Sequence, residues 1–90
     1  MTGRQIFYEG RVQGVGFRYM AKRIAAGFEI TGTVRNLDDG RVELRITGDE
    51  DEVRDFLEAI RDSELGSHIK NEVILTVPPQ REVKGFAITQ

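Results

Sequence analysis

Two side chains in this 90-residue chain stand where they could act on an anion: Arg18 and Asn36. Arg18 closes the stretch Gly10-Arg11-Val12-Gln13-Gly14-Val15-Gly16-Phe17-Arg18. A strand pattern runs into this stretch, glycines interrupt it, and a helical pattern starts where it ends. Glycine lets a backbone turn tightly or approach a ligand with no Cβ in the way. A helix start presents unpaired N–H groups that favour an anion. Arginine adds a rigid fork of donors suited to phosphate oxygens. The expectation is an oxyanion cradle, for a phosphate above all, built from the amides of Gln13, Gly14, Val15, Gly16 and Phe17 and the Arg18 guanidinium. Asn36 ends a second strand, on the side of that strand that faces the core. Its neutral carboxamide can accept one proton of a water molecule and so aim the lone pair. Neither residue is a good nucleophile, and arginine stays protonated, so the pair contains no base. Such a set holds phosphate charge and places water, which is most of what phosphoryl transfer requires. The base is left to the substrate.

The elements that must position these residues follow from periodicity. Ile6, Tyr8, Gly10 and Val12 share one parity, which predicts a strand over 5–12, with Phe7 partly covering the other side. From Phe17 the period changes. Phe17, Met20, Ala21, Ile24, Ala25 and Phe28 form one apolar stripe at helical spacing, with Gly27 the expected terminator. No side-chain cap precedes this helix, which leaves its first amides open to a ligand or water. Residues 30–36 read as a strand with Ile30, Gly32 and Val34 on one side. Leu37-Asp38-Asp39-Gly40 reads as a hairpin turn, because Asp-Gly tolerates left-handed geometry. Residues 41–47 alternate, with Val42, Leu44 and Ile46 inward and Arg41, Glu43 and Arg45 outward. Asp49 and Glu52 form a capping-box pattern for a second helix whose stripe is Val53, Phe56, Leu57 and Ile60, ending near Asp62. Residues 63–71 read as loop or short irregular structure, 73–77 as a short strand stopped by Pro78-Pro79, and 83–89 as the final strand. Two helices, each with one apolar stripe, and strands with one apolar face predict two layers: both helices on one face of a mainly antiparallel sheet. This is the split βαβ, or ferredoxin-like, α+β plan, in a single domain spanning 1–90.

Composition narrows the function classes. There are no cysteines, so no disulfide framework and no thiolate chemistry. Thirteen basic and fifteen acidic residues give a formal charge of -2, which argues against a polyanion-binding field and against a nucleic-acid partner. The expected outward positions of the central hairpin carry no aromatic ring for an RNA platform, and Tyr8, Phe17 and Tyr19 read as core. No apolar run approaches a membrane span or a secretory signal. A cytoplasmic monomer with no membrane partner is expected, with no apolar stripe left over once the core is assigned. His68 stands alone in a polar stretch with no companion metal ligands, so no metal site is expected. The acids 49–52 are accounted for by capping and the helix dipole, and Asp38 and Asp39 by the turn.

At this point two motifs together are similar to a known family. Gly10-Arg-Val-Gln-Gly-Val-Gly-Phe-Arg18 resembles the first signature of the acylphosphatase family, and Gly32-Thr-Val-Arg-Asn36, followed by Asp39-Gly40-Arg-Val42, resembles the second. The resemblance extends over nearly the whole chain. It implies hydrolysis of acyl phosphates to a carboxylate and inorganic phosphate, with no metal or cofactor. It also implies that Arg18 and the loop amides bind phosphate, that Asn36 orients the attacking water, and that the leaving carboxylate helps take the proton. Two departures stand out. Phe28-Glu29-Ile30 occupies the place of a common Leu-Gly-Leu, so either Gly27 handles the helix exit or Glu29 takes a mildly strained backbone. Thr33 replaces a common aromatic, which removes some packing or part of an active-site wall. Beside the enzyme stands a second class, a non-catalytic module that uses the same cradle for an anionic ligand or docks on a partner protein.

Overall fold

A computed structural model describes all residues from Met1 to Gln90. The chain forms strand β1 (Thr2–Gly10), helix α1 (Phe17–Ala25), strands β2 (Ile30–Asn36) and β3 (Val42–Gly48), and helix α2 (Glu50–Asp62). A short 3₁₀ helix (Glu64–His68) then leads into β4 (Ile69–Val77) and β5 (Phe86–Ile88). The five strands form one sheet in the order β4-β1-β3-β2-β5. Every neighbouring pair is antiparallel except β2 with β5. This is the ferredoxin-like plan expected from the sequence.

The inward sides of the strands make the core. Ile6 and Tyr8 of β1, Val34 of β2 and Val42, Leu44 and Ile46 of β3 are buried against Phe17, Ala21 and Ala25 of α1 and Val53, Phe56, Leu57 and Ile60 of α2. Phe56 stands edge-on to Phe28 at 5.9 Å and to Phe86 at 6.0 Å, joining both helices to the last strand. Tyr8 and Phe17 approach to 5.0 Å between ring centroids. That contact pins the first residue of α1 to β1. Burying such a ring contributes about 1.5–3 kcal/mol, and the aromatic pairing about 0.5–1.5 kcal/mol more. The other side of the sheet is open and carries cross-strand polar pairs. Glu43 accepts from Arg35 Nε at 2.6 Å and from Gln5 Nε2 at 2.7 Å. Phe7 lies half-buried on this face beneath the Arg41 guanidinium, 4.5 Å from its centroid.

Several local expectations are corrected. Gly27 does not terminate α1 through a left-handed turn, because its φ is not positive. The helix instead tightens, with the N–H groups of Ala26, Gly27 and Phe28 donating three residues back to Arg23, Ile24 and Ala25. Glu29 is not strained either, since no non-glycine residue has positive φ. Its N–H is met by Glu52 Oε1 at 2.7 Å. That contact removes Glu52 from the expected capping box, and Asp49, although it is the N-cap, makes no side-chain capping bond. The polar stretch 63–71 is more ordered than its composition suggests. Ser63 caps the 3₁₀ helix by accepting the Leu65 N–H, Leu65 is buried, and β4 starts already at Ile69. β4 is thus a full partner of β1, and the short extra strand is β5, three residues long. Some apolar surface is left over on β4, an edge strand: Val73 and Leu75 pair with Phe7 and Gln5 on the open face, and Ile74 pairs with Ile6 on the helix side but stays partly exposed because α1 and α2 pack chiefly over β2, β3 and β5.

The altered capping arrangement is testable. Asp49→Ala is expected to cost less than the ~1 kcal/mol typical of a lost N-cap bond. Glu52→Ala leaves the exposed Glu29 N–H to water and is expected to cost about 0.5–1 kcal/mol, more than Asp49→Ala. Urea midpoints of the two variants check the order, and a larger loss for Asp49→Ala would restore the capping-box reading.

Candidate active site

The site lies where β1 gives way to α1. Gly14 and Gly16 have φ of 78° and 79°, the left-handed region. A Cβ placed on either would meet nothing within 4 Å. Glycine is therefore required here by backbone conformation and not by space; an L residue held left-handed costs about 1–2 kcal/mol. Gly16 is also the N-cap of α1, with no side chain capping the helix and no acid in its first turn. The N–H groups from Gln13 to Tyr19 donate to no backbone carbonyl; Arg11 before them bonds the His68 carbonyl, and Met20 after them bonds that of Gly16. The result is a run of available amides at the positive end of a helix, with no carboxylate in that helix's first turn.

Arg18 and Asn36 come together at this point. Both line a cavity of about 90 Å³, along with Gly14, Gly16, Phe17 and Tyr19. Four other arginines, Arg35, Arg41, Arg54 and Arg61, are held by carboxylates, and Arg18 is held by none. Arg18 stands there because Phe17 before it is 2% exposed and fixed in the core, which turns the next residue out towards the cavity. Asn36 stands there because it ends β2 opposite Val42, a buried residue, so it shares the core-facing side. At the end of the strand that side gives out onto the cavity.

A trough of about 560 Å³ adjoins, sharing Arg18 and Asn36 and extending over Gln13, Asp38 and Thr89. Of the cradle residues expected from sequence, Gly14, Gly16, Phe17 and Arg18 line the small cavity and Gln13 lines the trough. Val15 lines neither and is exposed. Tyr19, expected in the core, is 70% exposed at the cavity rim. The available signal was its absence from the apolar stripe of α1. Asp38 and Asp39 separate in role. Asp39 accepts the Arg41 N–H at 3.1 Å and Arg41 Nε at 2.8 Å. These bonds, the backbone N–H foremost, hold its carboxyl below the usual carboxylate range. It is occupied in the turn, whereas Asp38 lines the trough. Thr33 is opposite Arg45 on the open face and lines neither cavity, so it forms no active-site wall. His68 lies in a separate depression with Arg11 and Lys70.

With this geometry in hand, the chain can be compared with known proteins. Residues 4–88 match the model of the acylphosphatase family. The chain is 43% identical over 86 residues to an acylphosphatase of Bacillus licheniformis, covering 96% of this chain and 92% of that protein. It is 42% identical over 80 residues to an acylphosphatase of Listeria monocytogenes, covering 88% and 86%. Among solved structures, acylphosphatase from Bacillus subtilis superposes over the full length of both chains with a TM-score of 0.90 at 33% identity. HypF from T. kodakarensis matches all of this chain over 12% of its own length, with a TM-score of 0.86 at 30% identity. The two signatures, the ferredoxin-like sheet and this near-complete coverage agree: the chain belongs to the acylphosphatase family.

Proposed function

We propose that this chain hydrolyses acyl phosphates to a carboxylate and inorganic phosphate, with Arg18 and the cradle amides binding the phosphate and Asn36 orienting the water. The observation that carries this reading is the shared cavity. An unpaired guanidinium, a run of free amides and a carboxamide meet in one small space. Arg18 and the amides meet the phosphoryl oxygens, where charge is spread in the transition state. The acyl portion extends into the adjoining trough. The Asn36 carbonyl oxygen accepts a hydrogen bond from the water, leaving the water's lone pair aimed at phosphorus. The new P–O bond forms as the bond from phosphorus to the acyl oxygen breaks, and the electron pair leaves with the carboxylate. The water proton passes to the substrate's own oxygens, which supplies the base that Arg18 and Asn36 lack. The alternative, a non-catalytic anion-binding or docking module, accounts for Arg18 and the amides but gives Asn36 no task.

Phosphate release from benzoyl phosphate, with chelator present, tests the assignment. Arg18→Ala is expected to lose inorganic phosphate binding and to reduce kcat/KM by roughly 10²–10³-fold or more, while staying folded. Asn36→Ala is expected to lose about 10²-fold in kcat with much smaller loss of phosphate affinity. Retained phosphate binding in Arg18→Ala would remove it from the cradle, and intact turnover in Asn36→Ala would end its water-aiming role. An inert, well-folded wild type would favour the binding-module reading.

Gly14→Ala adds a strained left-handed residue without a clash. It is expected to lower both phosphate affinity and turnover, with about 1–2 kcal/mol lost from stability. Binding, turnover and urea midpoint identical to wild type would show that the loop needs no left-handed residue at this position.

A further inference from the structure

The cradle loop has few ties of its own. No backbone N–H between Arg11 and Met20 donates to a backbone carbonyl, and two left-handed glycines lie in that interval. Val12 anchors its start in the core, and beyond that residue a single side chain ties it by hydrogen bonds. Gln13 Nε2 donates to the Leu37 carbonyl at 2.7 Å and to the Arg41 carbonyl at 2.9 Å. Both hydrogens of the carboxamide are thereby used. The reversed amide would set its oxygen against two carbonyl oxygens, so the partners themselves dictate the orientation.

The two acceptors form the neck of the β2–β3 hairpin. Leu37 directly follows Asn36, and its own N–H donates to the Arg41 carbonyl at 2.8 Å. That carbonyl accepts two donors and fills both lone pairs. One carboxamide therefore spans from the phosphate cradle to the residue beside Asn36. Arg18 does not depend on this link, because its helix is anchored by the buried Phe17. The relative placement of the loop amides and Asn36 does.

We propose that Gln13 is a positioning residue: its side chain sets the distance between the phosphate cradle and the water-orienting Asn36, and turnover depends on that link more than phosphate affinity does. The inference rests on the roles given to Arg18 and Asn36 under the proposed function. A shift of the order of 1 Å between phosphorus and water costs up to about 10²-fold in rate. Phosphate held chiefly by Arg18 tolerates the same shift better.

Gln13→Met keeps the shape and removes both donors, and Gln13→Glu keeps the shape and turns an acceptor on two carbonyls. For benzoyl phosphate, kcat is expected to fall about tenfold or more in Gln13→Met and further in Gln13→Glu, with phosphate inhibition weakened less than about threefold. Placed in the Asn36→Ala background, Gln13→Met should change kcat less than about twofold, because there is no carboxamide left to align. A side chain that only stiffened the fold would cost the same in both backgrounds. That equality, or a wild-type kcat in Gln13→Met, would overturn the inference. ¹⁵N relaxation supplies a readout independent of activity. Order parameters at the Gly14 and Gly16 amides should fall in Gln13→Met, and unchanged values would overturn the link by themselves. An inert wild type would refute the catalytic reading, and with it the effect on turnover, whereas the relaxation result would still decide whether Gln13 holds the loop.

Discussion

The site depends on one contact, the packing of Phe17 against Tyr8 at 5.0 Å. Phe17 is the first residue of α1 and Tyr8 lies on β1, a strand paired on both sides, so this contact fixes where the helix begins. The chain has only residues 11–16 in which to leave the sheet and enter that helix. Left-handed glycines at 14 and 16 make the reversal possible, and the same conformation leaves the amides without backbone partners. The burial that holds α1 to the sheet also delivers its unsatisfied end to the surface. The residue after the anchor, Arg18, emerges into the cavity with no carboxylate to neutralise it.

A second constraint brings Asn36, the proposed water-orienting group, to the same place. β2 runs antiparallel to β3 through Asn36, paired with buried Val42. The pleat therefore sets Asn36 on the core-facing side at the strand's end. The tight turn behind it is held by Asp39 and Arg41, which keeps that carboxylate away from the phosphate site. Polar groups on the open face, such as Arg35 and Glu43, are half-exposed or near the surface and stabilise the sheet only modestly. What holds the cavity residues together is the buried face and the hydrogen bonds from Gln13 to the hairpin neck, not charge pairing across the sheet.

Much of this was legible in the sequence because the relevant signals are short-range. The period-2 pattern of residues 41–47 and the Asp-Gly turn reveal the central hairpin, and the stripe from Phe17 marks α1. Residues 30–36 are bounded by their own alternation, and β2 spans them. Gly14, Gly16, Arg18 and Asn36 carry residue types with narrow physical uses. What escaped depends on long-range partners. Glu52 bonds the Glu29 N–H across the fold and not its own helix start. β4 gains its length from pairing with β1, which no local pattern of the polar stretch 69–72 reveals. The side chain of Gln13 reads as one more loop residue until its two acceptors, more than twenty positions away, are in place. Tyr19 faces solvent because the stripe of α1 passes it by.

The proposed chemistry requires the cavity to aim water at phosphorus. Hydrolysis of benzoyl phosphate in H₂¹⁸O, with the isotope located in both products, measures this directly. Label is expected in inorganic phosphate and none in benzoate, because the bond broken joins phosphorus to the acyl oxygen. Label appearing in benzoate would mean that water attacks the carbonyl carbon, and would contradict the assignment of Arg18 and Asn36 to a phosphoryl-transfer site.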